Sequence, residues 1–214
     1  MNKALALCLF FISVGNLFTA NAKIWRVNNN TGITADFTTL QAAHDGAASG
    51  DTIHLEGSAT SYGGLTCTKK LFIVGPGYFL DEHPNTQALQ QTAQVGAFTL
   101  NDGSSGTVII GLDFRTSNIS VFANDIVIRR NNFASPYGNT PDYVTGIIYL
   151  NYPSNTGGST GVSNIIITQN YGLQINNSSY TATNILITNN YLAANGYGGD
   201  ASTENCLLLS ANTV

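Results

Sequence analysis

Charge is scarce in this chain: of 214 residues, only 9% are Asp, Glu, Lys or Arg. Asn, Thr, Ser and Gly dominate the polar remainder, and these favour turns and hydrogen-bonded surfaces over amphipathic helices. Basic residues are scarcest, eight against twelve acidic ones. Such a balance draws in neither nucleic acid nor anionic lipid at long range, so no nucleic-acid partner is expected. Cysteine is nearly absent too, with Cys8, Cys67 and Cys206 the only three. Long apolar runs are missing except at the start, where Ala4 to Phe18 falls short of the roughly twenty residues a membrane span needs, so no membrane insertion is expected.

That apolar run follows Lys3 and precedes Ala20 and Ala22 in "TANAK", the pattern of a cleaved export signal. Residues 1–22 therefore read as a signal peptide, and the protein as secreted or held at the cell surface. Without Lys3, seven basic side chains face twelve acidic ones, a mature charge of −5.

What is present is repetition. "SNIIITQNYG" (163–172) returns twenty residues later as "TNILITNNYL" (183–192). Short clusters rich in Ile and Val recur near Ile53, Phe72, Ile109, Val127, Ile148, Ile166, Leu186 and Leu208. From Ile109 onward the intervals are 18, 21, 18, 20 and 22 residues, each cluster read as a new winding. A period near twenty, without the leucine offsets of a leucine-rich repeat, predicts an all-β solenoid of parallel strands.

Strand alternation points Ile126, Ile128, Ile165, Ile167, Ile185 and Ile187 inward as stacked rows, with Leu207 continuing one of them. Asn170 and Asn190 fall at the following bend, where asparagine tolerates left-handed geometry and can pass amide hydrogen bonds to its copy. Tyr171 and Tyr191 pack just beyond. The outward positions Val127, Ile166, Leu186 and Leu208 make an aliphatic column able to bury against a partner.

Residues 23–50 read as a cap strand and amphipathic helix, since Phe37, Leu40, Ala43, His44 and Ala47 keep helical spacing and Gly50 supplies a stop. Residues 51–214 are then the β coils. "CLLLSANTV" brings no closing cap, which leaves either a fragment or an edge open to end-to-end contact with another chain.

The cap helix leading into "SGDTIHL", then "KKLFIVGPGY", "SGTVIIGLDF" and the Asn-Tyr coils, resembles the secreted right-handed parallel β-helix proteins, the pectin-lyase-like group, over residues 23–214. The resemblance implies extracellular polysaccharide as ligand. Lyases of that group use an Arg or Lys base, with acidic residues holding Ca2+ against a uronate carboxylate. Arg115, Arg129 and Arg130 are the residues here of the base's type, and Asp113 and Asp125 those suited to substrate or calcium. The same residues also serve as ordinary surface ion pairs. The calcium strand of pectate lyases, the paired aspartates of polygalacturonases and the catalytic segments of pectin esterases are all missing. Cleavage therefore stays open, and a non-catalytic cell-surface or adhesin-type module is the alternative.

Other candidates carry less. "GGSTG" (157–161) matches a nucleophile-elbow pattern without the helix that must follow. "GYGGD" (196–200) is a single copy of a calcium turn that works in tandem. His44 and His54 read as packed or surface histidines, and His83 beside Asp81 and Glu82 as a solvated polar cluster. Cys67 and Cys206, several ~4.8 Å strand rises apart along the expected axis, lie beyond disulfide reach.

Overall fold

A computed structural model describes residues 22–82, 85, 89–115, 117–134, 146–150, 161–177, 182–192 and 207–209. The chain runs β1 (Ile24–Val27), α1 (Leu40–Gly46), β2 (Thr52–Leu55), β3 (Leu65–Cys67), β4 (Phe72–Val74), β5 (Phe98–Leu100), β6 (Val108–Ile110) and β7 (Ile119–Val121). It continues through β8 (Val127–Arg129), β9 (Ile147–Leu150), β10 (Ser163–Thr168), β11 (Tyr171–Asn177), β12 (Thr183–Thr188), β13 (Tyr191–Leu192) and β14 (Leu207–Leu209). Residues 1–21 of the expected signal peptide 1–22, and with them Cys206, His83, Ser159 and residues 196–200, lie outside the described residues.

Two seven-stranded parallel sheets result, the first in the order β1-β2-β4-β6-β8-β10-β12 and the second in the order β13-β11-β9-β7-β5-β3, with β14 also paired to β11. From β2 to β13 the chain alternates between them, and each return to a sheet lands on the next strand along. This strand order is consistent with a parallel β solenoid.

Inward rows hold the core. Trp25, Ile53, Ile73, Ile109, Ile128, Ile167 and Ile187 follow one another in strict register across the first sheet. Ile53 through Ile167 in this row are fully buried, while Trp25 and Ile187 pack partly buried against the core. Ile165 pairs with Ile185 beside it. In the second sheet Leu65, Phe98, Ile119, Ile148 and Ile175 form the facing row. In the core, Phe114 meets Phe98 edge-on at 4.8 Å and stacks on Phe133 at 4.9 Å. Burying a side chain of this size stabilises by about 1.5–3 kcal/mol.

The period is less even than the clusters suggest. Phe72 sits 20 residues from its partner Thr52, but Val108 sits 36 from Phe72 and Ile166 sits 39 from Val127. The cluster at Ile148 is β9 of the second sheet, so it does not begin a new winding. Insertions after β4 and around β9 lengthen those repeats. Leu207 and Leu208 also depart from expectation: β14 pairs with β11 of the second sheet, Leu207 against Ile175, and neither joins the Ile165–Ile185 row or the outward column.

A short helix forms over part of the predicted stretch, Leu40–Gly46, while Phe37 instead bridges Val27 and Ala47 falls just past its end. Thr39 accepts a hydrogen bond from the Ala42 N–H at the start of α1, and Leu40, Ala43 and His44 are buried against the strands. His44 Nε2 accepts from the Thr68 N–H at 3.1 Å and Nδ1 lies 2.8 Å from Asp45, which makes it a packed core histidine. His54 is exposed on β2. Cys67 is a buried free thiol whose pKa burial pushes up.

Candidate functional site

The bends between the sheets are built by a buried asparagine ladder. Asn131 Nδ2 donates to Asn170 Oδ1 at 3.1 Å, Asn170 Nδ2 donates to Asn190 Oδ1 at 3.0 Å, and each Oδ1 also takes a backbone N–H from the neighbouring repeat. The amide relay expected of Asn170 and Asn190 is present and reaches back to Asn131. The left-handed backbone, however, belongs to the residue before each: Arg130 (φ 54°), Gln169 (φ 57°) and Asn189 (φ 53°). The ladder asparagines must aim their amides along the stack, so the reversal of chain direction falls one position earlier.

This offset places Arg130 and Gln169 at the outer corner, where Arg130 Nε donates to Gln169 Oε1 at 3.1 Å. Tyr78, from the insertion after β4, donates its hydroxyl to the Gln169 carbonyl at 3.2 Å across 91 residues of sequence. Burial pushes the Tyr78 hydroxyl pKa up, and the charge of Arg130 pulls against it. Phe79, itself left-handed at φ 56°, meets Tyr171 edge-on at 4.9 Å. Tyr171 stacks on Tyr191 at 4.8 Å and 14°. Tyr191 is 60% exposed and Phe79 37%. The result is an aromatic corner with a guanidinium at its edge. Sequence reasoning placed Tyr171 and Tyr191 but missed Tyr78 and Phe79, whose sole signal was their position at the mouth of an insertion.

The five charged candidates do not converge. Asp113 and Arg115 do meet, with Arg115 Nε 3.6 Å from Asp113 Oδ2, close enough for charge but too long for a hydrogen bond. Asp113 does not stand out into solvent as alternation predicts. It is buried, and its carboxylate accepts from Thr92 Oγ1 and Asn132 Nδ2 at 2.9 Å each and from the Arg115 N–H at 3.3 Å. Flanking strands close over it because Gln94, Asp113, Asn132 and Tyr171 form an extra line of β bridges. Arg129 lies on the outward side of β8 and Arg130 at the bend that follows it. Asp125 heads the same strand and accepts from Asn164 Nδ2 at 2.8 Å. It stands two residues before β8, at the opposite end of that strand from Arg129.

Calcium does not fit this arrangement. Asp113 has its oxygens filled by protein donors and Asp125 lies at the far end of a strand, so the two cannot share an ion. Among the described residues no three His, Cys, Asp or Glu side chains come together as a metal site. No described helix is long and apolar enough to cross a membrane.

Compared with protein-family models, curated proteins and solved structures, the chain finds no match in any of the three.

Proposed function

We propose that this chain is a secreted right-handed parallel β-helix of the pectin-lyase-like kind, and that it holds extracellular polysaccharide against the side of its strand stack. Its leader-like first 22 residues support export. The observation that carries the binding reading is the aromatic corner. Exposed tyrosine and phenylalanine rings offer apolar surface for the C–H faces of sugars, while Arg130 and the Gln169 amide offer donors for hydroxyl or carboxylate oxygens. Arg115, Asp113 and Asp125 take no part in it: the first two lock a turn and the third ends an amide ladder on another corner. Binding is therefore the activity of this corner, and cleavage becomes a second readout of the same test.

The purified protein should bind at least one member of a panel of neutral and uronate-containing polysaccharides in titration calorimetry. Tyr191→Ala and Arg130→Ala should each weaken that binding about tenfold, the loss expected of about 1.4 kcal/mol. Binding unchanged in both variants would retire the site. New reducing ends or ultraviolet-absorbing unsaturated products would add catalysis. Failure on every glycan favours the second reading, a non-catalytic surface or adhesin-type module, which one observation supports: an apolar row on the outer face of the first sheet.

A further inference from the structure

Four of the chain's exposed large apolar side chains fall in a single register row. Ile24, Thr52, Phe72, Val108, Val127, Ile166 and Leu186 are successive partners across the outer face of the first sheet. Ile24 is 64% exposed, Phe72 39%, Ile166 36% and Leu186 50%. The next outward row adds Val74 and Ile110, both half-buried, between His54 and Arg129. Scattered exposure of this kind is ordinary on soluble proteins, but alignment in one strip marks a contact surface.

Its shape selects among occupants. Six strand spacings of ~4.8 Å give a length of about 29 Å, and two outward rows give a width of about 10 Å. The area, about 300 Å², is well below the roughly 800 Å² each partner contributes to a stable dimer. It does match one α-helix, about 10 Å across, of which about 19 residues span 29 Å. The 5.4 Å helical pitch sets about one side chain per turn over each strand.

Charge selects further. Lys70 is exposed on one flank, and His54 and Arg129 stand on the other. Arg129 Nε is buried without a hydrogen-bond partner among the described residues, and no ion pair engages Lys70 or Arg129 there. Asp125, two residues before Val127 as Lys70 is two before Phe72, lies on the Lys70 flank and accepts from Asn164, while on the other flank the Arg26 guanidinium is taken by Glu56 at 2.6 Å. Arg129, left without an ion pair among the described residues at the margin of the apolar strip, calls for a carboxylate on the partner.

We infer that the outer face of the first sheet docks an amphipathic helix of a partner protein, its apolar side on the Ile24–Leu186 row and an acidic flank against Arg129 and Lys70. This surface is separate from the aromatic corner and does not depend on glycan binding.

The probe is a synthetic amphipathic peptide of about twenty residues, with leucine on one helical face and glutamate on both flanks, followed by fluorescence anisotropy with the full chain. It should bind, and an analogue with lysine replacing glutamate should bind at least about tenfold more weakly at low salt. Leu186→Ser and Phe72→Ser should each reduce binding of the glutamate peptide severalfold. Arg129→Glu, which leaves the apolar strip intact, should reverse the preference between the two peptides. Equal binding of both peptides, or of neither, overturns the inference. So does a concentration-dependent dimer in light scattering that Leu186→Ser dissolves, because a second copy would then own the strip. Retention on anionic lipid vesicles that Leu186→Ser abolishes likewise overturns it in favour of a membrane surface.

Discussion

Asn170 ties three repeats together at one point. Its amide donates to the Ile128 carbonyl behind and to Asn190 ahead, while its oxygen takes two donors from Asn131. Removing the side chain strands buried groups on both neighbours, each at a cost of about 1–3 kcal/mol. Asn170→Ala should therefore lower unfolding free energy in urea by at least about 2 kcal/mol. Thr168→Ala, which loses one exposed hydroxyl pair with Thr188, should stay within about 0.5 kcal/mol. The asparagine relay was legible because identical residues recur at identical offsets. The left-handed residues were not: Arg and Gln have no preference for that conformation, and only the ladder's geometry imposes it on Arg130 and Gln169.

Asp51 is where the cap elements lock onto the first strands. Its carboxylate accepts from the Lys23 N–H of the segment entering β1, from Trp25 Nε1 on β1 and from the Ala48 N–H just after α1. These bonds, that from Lys23 first, hold its pKa below the ordinary 3.8 against the opposing cost of burial. A carboxyl depressed in the fold contributes stability that is complete above 3.8 and lost as pH falls through its folded value. The stability gap between wild type and Asp51→Asn should then be constant near neutral pH and close on acidification below 3.8, a trend that urea melts across pH will show. Elements of the first sheet were predictable from alternation, but their assignment to sheets was not always so. The clusters at Ile148 and Leu208 look like any other short apolar run, and period two carries no label saying which sheet a strand joins.

Across the whole molecule the rows of the core make each repeat's stability depend on its neighbours. Ile128 and Ile167, fully buried with a partner strand on both sides, should each lose about 2–5 kcal/mol on substitution by alanine. Ile187 occupies the same row but remains partly exposed, so Ile187→Ala should cost clearly less when compared in the same denaturant series. Equal losses at all three positions would contradict a stack in which burial grows from neighbour to neighbour. Residue type and spacing were enough to establish inward isoleucine rows, the asparagine corner and the capping helix, because side-chain alternation and helical spacing are local properties of a few residues. Only the folded chain decided that Asp113 is enclosed, that Tyr78 reaches Gln169, and that β14 joins the second sheet. Those contacts join positions tens of residues apart, through insertions whose length leaves no periodic trace, and their partners exist only once the strands have stacked.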